Sequence, residues 1–313
     1  MSLRSLASSR RTLPPRLLVV ASRFGRVDEA LRARLEEMAG AAVGSATPVG
    51  GGDFATAYRV ALVDGRTVFA KTHADPPPGF FSTEAAGLRW LAGPALLPVP
   101  EVIGVADDSP ACLVMAWVEE GSRHRADEAA FGRSLAALHA SGARGFGRAD
   151  GRTTGSLSLP NDPTTTWAEF YADRRLRPLA GIAERRDALG LASIDRLLAV
   201  ADDPTRWGAA DEPPARLHGD LWAGNRIVDV AGASWLIDPA AHGGHREFDL
   251  AMMRLFGGFG AAAFAAYDEV TPLQAGWERR VDLHQLAPLV VHAIKFGGGY
   301  AGAVESALDR LGA

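Results

Sequence analysis

The sequence predicts an α+β protein of two lobes, a small antiparallel sheet followed by a larger, mainly helical part. Three observations carry that prediction. A chain of 313 residues is long enough for about two units that each bury a core. Apolar residues alternate with period two between Tyr58 and Lys71, as half-buried strands require. Beyond Glu119-Glu120-Gly121 they recur at helical spacing instead, with one hairpin interrupting the helices. At 47% hydrophobic and 22% charged, the composition is that of a globular protein and not of a disordered chain.

Residues 1–27 read as a disordered extension, because the apolar run Leu17-Leu18-Val19-Val20 is too short for an export signal and follows Pro14-Pro15. The first lobe, residues 28–118, opens with an amphipathic helix from about Asp28, in which Leu31, Leu35 and Met38 share a face. The loop Gly50-Gly51-Gly52-Asp53 then feeds two antiparallel strands. In the first, Tyr58, Val60 and Leu62 alternate; Asp64-Gly65 makes the turn, and Thr67 to Lys71 returns. A helix over Thr83 to Ala92 follows, with Ser82 or Thr83 as its cap. Leu113 to Trp117 reads as a buried strand. The second lobe, residues 119–313, has helices marked by Phe131, Leu135 and Leu138, by Trp167, Phe170 and Tyr171, and by Ile194, Leu197 and Leu198. Its hairpin pairs Arg226-Ile227-Val228 with Ser234-Trp235-Leu236-Ile237 around Ala231-Gly232, and its tail is helical from Leu283 except at Gly297-Gly298-Gly299.

The charge balance narrows the partners. With 33 basic and 37 acidic side chains the net charge is -4, which argues against a general nucleic-acid binder. No stretch reaches the 18 to 20 or so apolar residues of a membrane span. The single cysteine, Cys112, beside Leu113-Val114-Met115, reads as a buried thiol in a reducing cytoplasm. Nothing in the sequence speaks to oligomeric state. Of the basic residues only Lys71 and Lys295 are lysine, so a chain that chooses arginine elsewhere invites a chemical reason for these two.

The strongest chemical signal is His218-Gly219-Asp220-Leu221-Trp222-Ala223-Gly224-Asn225, followed by Ile237-Asp238-Pro239 at the end of the hairpin. An aspartate, an asparagine five residues on, and a second aspartate after a hairpin make the arrangement used for phosphoryl transfer in protein-kinase-like enzymes. One carboxylate must orient and deprotonate the acceptor hydroxyl, and separate oxygens must hold a metal on the phosphates. Asp220 fits the first role; Asn225 and Asp238 fit the second. Either Asp220 or Asn225 alone would suit an ordinary turn, but the joint pattern does not. His242, His245 and Glu247 are too thin a signal for a separate metal site.

These strings, with Gly244-His245-Arg246-Glu247-Phe248-Asp249-Leu250-Ala251, resemble the fructosamine kinase (ketosamine-3-kinase) family, within the aminoglycoside phosphotransferase and choline kinase superfamily. Val49-Gly50-Gly51-Gly52, Phe69-Ala70-Lys71, Leu157 to Asn161 and Phe296-Gly297-Gly298-Gly299-Tyr300 extend the resemblance from about Val27 to the end. It implies a two-lobed protein-kinase-like fold and phosphorylation, by ATP with Mg2+, of the 3-hydroxyl of a ketosamine. The acceptor would be a small molecule or a glycated protein lysine, and the outcome deglycation.

On that reading Lys71 is the ammonium on the α- and β-phosphates, Glu84 its partner, and Gly50, Gly51 and Gly52 the loop over the phosphates. Met115, Trp117 and Val118 form the hinge that binds adenine. His218 and Asp249 brace the catalytic loop, and Trp222, Trp167 and His245 are possible acceptor contacts. Two alternatives stand beside this reading. A kinase for an aminoglycoside or amino alcohol would share every catalytic residue, although Thr164 to Arg175 carries as many arginines as acids where a polycation would call for carboxylates. A non-catalytic kinase-like binding module would have lost the base or a metal ligand, and neither is missing.

Overall fold

The computed structural model describes residues 27–50, 55–149, 157–208 and 211–313, so all but Val27 of the extension read over residues 1–27 lies outside the described residues. Helix α1 (Glu29–Ala39) starts where the Asp28 side chain accepts the Leu31 N–H at 2.8 Å and stops at Gly40 in the left-handed conformation. Five antiparallel strands follow in the spatial order β1-β2-β3-β5-β4: β1 (Val43–Val49), β2 (Thr56–Leu62), β3 (Thr67–Thr72), β4 (Val102–Ala106) and β5 (Cys112–Ala116). Helix α2 (Phe80–Ala92) lies between β3 and β4 in the chain.

Strand alternation sorts the side chains of this sheet. Val68, Ala70, Cys112 and Val114 turn to α1 and its Leu31 and Leu35. Phe69, Leu113 and Met115 turn to α2, against Phe81, Ala85 and Leu88. Lys71, two residues beyond Phe69, therefore shares the α2 face. Cys112 is fully buried, and burial pushes its thiol up to about 11.

Three details differ from the sequence reading. Strands β1 and β4 are not read from the sequence: β1, Val-Gly-Ser-Ala-Thr-Pro-Val, has no apolar run and forms by pairing with β2, and β4, Val-Ile-Gly-Val-Ala, is apolar but short and broken by Gly104. Gly104 in β4 has Met38 of α1 so close that an added Cβ would lie 2.7 Å from its side chain. Helix α2 begins at Phe80, so Ser82 and Thr83 lie inside its first turn. Its cap comes instead from Asp107, whose Oδ1 accepts the N–H of Phe81 at 2.9 Å and of Ser82 at 3.3 Å.

The helical lobe contains α3 (Glu128–Ala140), α4 (Trp167–Tyr171), α5 (Arg177–Arg185), α6 (Leu191–Asp202), α7 (Glu247–Leu255), α8 (Ala261–Val270), α9 (Trp277–Phe296) and α10 (Tyr300–Leu311). A π-helical turn, Ala172–Leu176, joins α4 to α5. Two short ribbons run through it: β6 (Ala215–Leu217) with β9 (His242–Gly244), and β7 (Arg226–Val228) with β8 (Ser234–Leu236). The β7–β8 hairpin is the one the sequence predicts. Three-residue strands such as β6 and β9 offer no period to read, and α9 starts six residues before the predicted Leu283. The lobes are tied where the Leu236 N–H donates to Pro98 O at 2.9 Å. No helix among the described residues is long and apolar enough to cross a membrane.

Candidate active site

A cavity of about 770 Å3 lies between the sheet and the helical lobe, with Gly50, Lys71, Glu84, Met115, Trp117, Val118, Asp220, Trp222, Asn225 and Asp238 all on its wall. Gly51 and Gly52 lie outside the described residues. The sequence therefore names ten of the residues that line the cavity, from segments as far apart as 50 and 238.

At the sheet end, Lys71 is buried and its ammonium donates to Glu84 of α2, Nζ to Oε1 2.8 Å. The same ammonium touches Asp238 Oδ1 across the lobe boundary. Burial alone would lower the Lys71 ammonium, but the two carboxylates outweigh it and hold the group above the usual lysine range. Burial likewise pushes the Glu84 carboxyl up, against the pull of Lys71. One ammonium thus serves two carboxyl groups, and the half-exposed Asp238 faces the cavity.

Asp220 sits on the loop after β6. Its Oδ2 and its backbone carbonyl each accept from Asn225 Nδ2 at 2.9 Å. Desolvation pushes Asp220 up to about 7, against the Asn225 hydrogen bond and the positive charge of Lys295. A carboxyl poised near neutrality, with an oxygen toward the cavity, suits proton acceptance from a hydroxyl.

The loop itself is fixed from below. Both oxygens of the fully buried Asp249, in α7, accept backbone N–H groups: His218 at 2.7 Å and Gly219 at 2.9 Å. His139 Nε2 stands 3.3 Å from the same carboxylate, and its Nδ1 2.8 Å from Tyr267 OH. Burial would raise Asp249, but His139 and the backbone donors hold it low and ionised. His218 Nε2 donates to Ile237 O at 2.9 Å while Nδ1 accepts the Asp220 N–H at 3.2 Å. Burial keeps this imidazole neutral, so it links the two loops as a brace.

Two backbone positions complete the geometry. Gly219 has φ +80°, and an added Cβ would lie 2.2 Å from Ala240 O, so only glycine lets the catalytic loop cross the chain after Asp238. Asp238 itself has φ +54°, a conformation costing of order 1–3 kcal/mol for a non-glycine residue and found where a site over-determines it.

The oxygen set fits a hard divalent cation. Asn225 uses its Nδ2 as donor, which leaves its Oδ1, and Asp238 is half-exposed with a second carboxylate oxygen beside the one on Lys71. Among the described residues a second cluster, His245, Glu247 and His284, also brings ligand atoms within 4.8 Å of one another. There, however, both Glu247 oxygens are taken by Arg280, at 2.8 and 2.5 Å, so the cluster is a buried ion pair with two imidazoles.

Three predicted acceptor contacts separate. Trp222 is 38% exposed at the cavity mouth, edge-on to Phe256. Trp167 stacks on Tyr171 with centroids 5.1 Å apart, and His245 on His284 at 5.1 Å; both are buried behind the wall and do not line the cavity. Their aromatic surface is used for packing. Conversely, the cavity is lined by Arg175, His242, His292 and Lys295, to which the sequence reading gave no role in the site. For Lys295 the scarcity of lysine was the available signal; His139 and Arg175 sit in helical segments without a motif.

Comparison with known proteins agrees with this geometry. The family model described as fructosamine kinase matches residues 27–313. A chloroplastic protein-ribulosamine 3-kinase from Oryza sativa subsp. japonica is 34% identical over 268 residues, covering 83% of this chain and 77% of the relative. A crystal structure from Thermobifida fusca, designated a fructosamine-3-kinase candidate, superposes with a TM-score of 0.82 at 39% identity, covering 90% of this chain and 97% of the other. A choline kinase from Streptococcus pneumoniae shares the fold alone, with a TM-score of 0.60 at 13% identity over 90% of this chain and 97% of its own.

Proposed function

The chain belongs to the fructosamine kinase family, and on that premise we propose that it phosphorylates the 3-hydroxyl of a ketosamine with Asp220 as the base. It is a phosphotransferase with a hydroxyl acceptor, in a two-lobed kinase-like fold. The family implies ATP and a divalent cation, and we take the cation to be Mg2+, since the donors available to it are all oxygen. Bound together, nucleotide and metal would supply the γ-phosphoryl group and neutralise charge on its oxygens. Asn225 and Asp238 would hold the metal, Lys71 the phosphates, and the Met115–Val118 segment the adenine.

The observation that carries the reading is the convergence, in one cavity, of the Lys71–Glu84–Asp238 ion cluster with the Asp220–Asn225 pair. Asp220 accepts the proton of the attacking hydroxyl, and Asn225 fixes the carboxylate in place for it. Glu84 holds the Lys71 ammonium toward the cavity, where a compact charge meets phosphate oxygens more readily than a guanidinium fork. The buried, unreactive thiol supports a reducing, cytoplasmic setting. The test is ATP turnover against fructosamines, ribulosamines, free sugars and aminoglycosides. Ketosamines should be turned over; turnover with aminoglycosides alone would overturn the reading.

A further inference from the structure

We propose that the helical wall of the cavity is an anion subsite, in which Arg175, with Lys295 as a second positive charge, binds a carboxylate or phosphate group carried by the ketosamine. This rests on the kinase reading and names the acceptor class within it. Four arginines are buried among the described residues: Arg175, Arg226, Arg246 and Arg280. Three of them pair with glutamates, Arg226 with Glu128 at 2.8 Å, Arg246 with Glu212 at 2.7 Å and Arg280 with Glu247. Arg175 does not. Among the described residues its guanidinium bonds only neutral groups: Pro160 O at 2.8 Å, Arg174 O at 2.9 Å, Asn161 Oδ1 at 2.8 Å and the face of Phe170, 4.5 Å from the ring centroid.

A buried charge without a counter-charge is unfavourable, and burial draws this guanidinium down to about 9. Arg175 nevertheless lines the cavity, on the π-helical turn that joins α4 to α5. An anion there would complete the pairing that the other three buried arginines already have, and would accept in the bidentate geometry that a guanidinium favours.

The neighbours fit a sugar that carries such a group. His242 stacks on the same Phe170, with centroids 5.2 Å apart, and an added Cβ on Gly219 would lie 2.9 Å from its Nδ1, one residue from Asp220. Its Nδ1 donates to Ala240 O at 2.8 Å, so Nε2 bears the lone pair and has no hydrogen-bond partner. Burial, reinforced by Arg175, keeps the ring neutral. Lys295, in the last turn of α9, lines the same cavity, and its charge reaches Asp220. Helices α5 and α9 and the π-turn bring Arg175, His292 and Lys295 to the cavity and no carboxylate among the described residues. That is the wrong complement for a polycationic amino sugar and the right one for an acceptor with a negative group.

The experiment compares three ketosamines of one sugar: its glycine conjugate, the uncharged glycinamide conjugate, and the sugar-phosphate form of the glycinamide conjugate. Wild type, Arg175→Gln and Lys295→Met are assayed for kcat/KM. At least one anionic acceptor should exceed the neutral one by about tenfold or more, through KM, as a charge-assisted hydrogen bond allows; which one does so separates carboxylate from phosphate. Arg175→Gln should bring that ratio close to one, and Lys295→Met should lower it less. Equal wild-type turnover of neutral and anionic ketosamines overturns the subsite alone. So does an equal loss on both in Arg175→Gln, which would make Arg175 only a brace for residues 160 and 161. Should Arg175→Gln not fold, the wild-type ratio and Lys295→Met still decide. Turnover of no ketosamine at all sinks the acceptor reading and the subsite with it.

Discussion

Lys71, Glu84 and Asp238 are held by charge across two lobes, whereas Asp220 and its neighbours are held by backbone hydrogen bonds within one. The first cluster depends on which partners are present. Its ammonium touches Asp238 directly, and that contact must be given up if Asp238 is to serve a metal. The second is set by main-chain contacts: the Asp249 carboxylate accepts two backbone donors and His218 bridges to Ile237 O. On the proposed roles, nucleotide handling and proton acceptance thus rest on different physical footings: adjustable electrostatics at the sheet end, fixed geometry at the helical end.

Three variants sharpen or break this contrast. Asp220→Asn should show the largest effect, a loss of roughly a thousandfold in kcat with ATP affinity within a few-fold, measured by turnover and by nucleotide titration. Loss of ATP binding would mean that the two clusters are not separable. Lys71→Arg comes next. The charge survives but the point contact does not, so kcat/KM for ATP should fall about ten- to a hundredfold while the melting temperature stays within a few degrees. Asp249→Asn should have the smallest catalytic signature and a clear stability one, about 2–3 kcal/mol by urea unfolding, because a buried charge-assisted acceptor is lost beneath the loop. If Lys71→Arg proves the more destabilising of the last two, the contrast is inverted.

How much of this was legible in the sequence follows the same division. The strings around Asp220 and Asp238 are local motifs, while Lys71 and Glu84 come from the resemblance to kinase-like folds, which implies an ammonium on that strand and a partner on the helix thirteen residues later. Strands β1 and β4 were not legible, since Gly44 and Pro48 break the pattern of β1 and Gly104 that of the short β4. Nor was the Asp107 cap on α2, which arrives from the turn before β5. Trp167 and His245 carried an aromatic signal that the core absorbs. The helical wall was the least legible part, because a π-turn displaces Arg175 from any regular helical face and nothing local marks it as facing the cavity.

The close crossing at Gly219 has a mechanical consequence. Where Gly219 passes Ala240, main chain meets main chain with no side chain between them, and the two stretches carry Asp220 on one side and Asp238 on the other. The spacing of these two carboxylates is therefore a property of the backbone, as a jaw's width is set by its pivot. On the proposed roles, the base and the metal-holding carboxylate thus belong to one part, whatever contact Lys71 makes from the sheet.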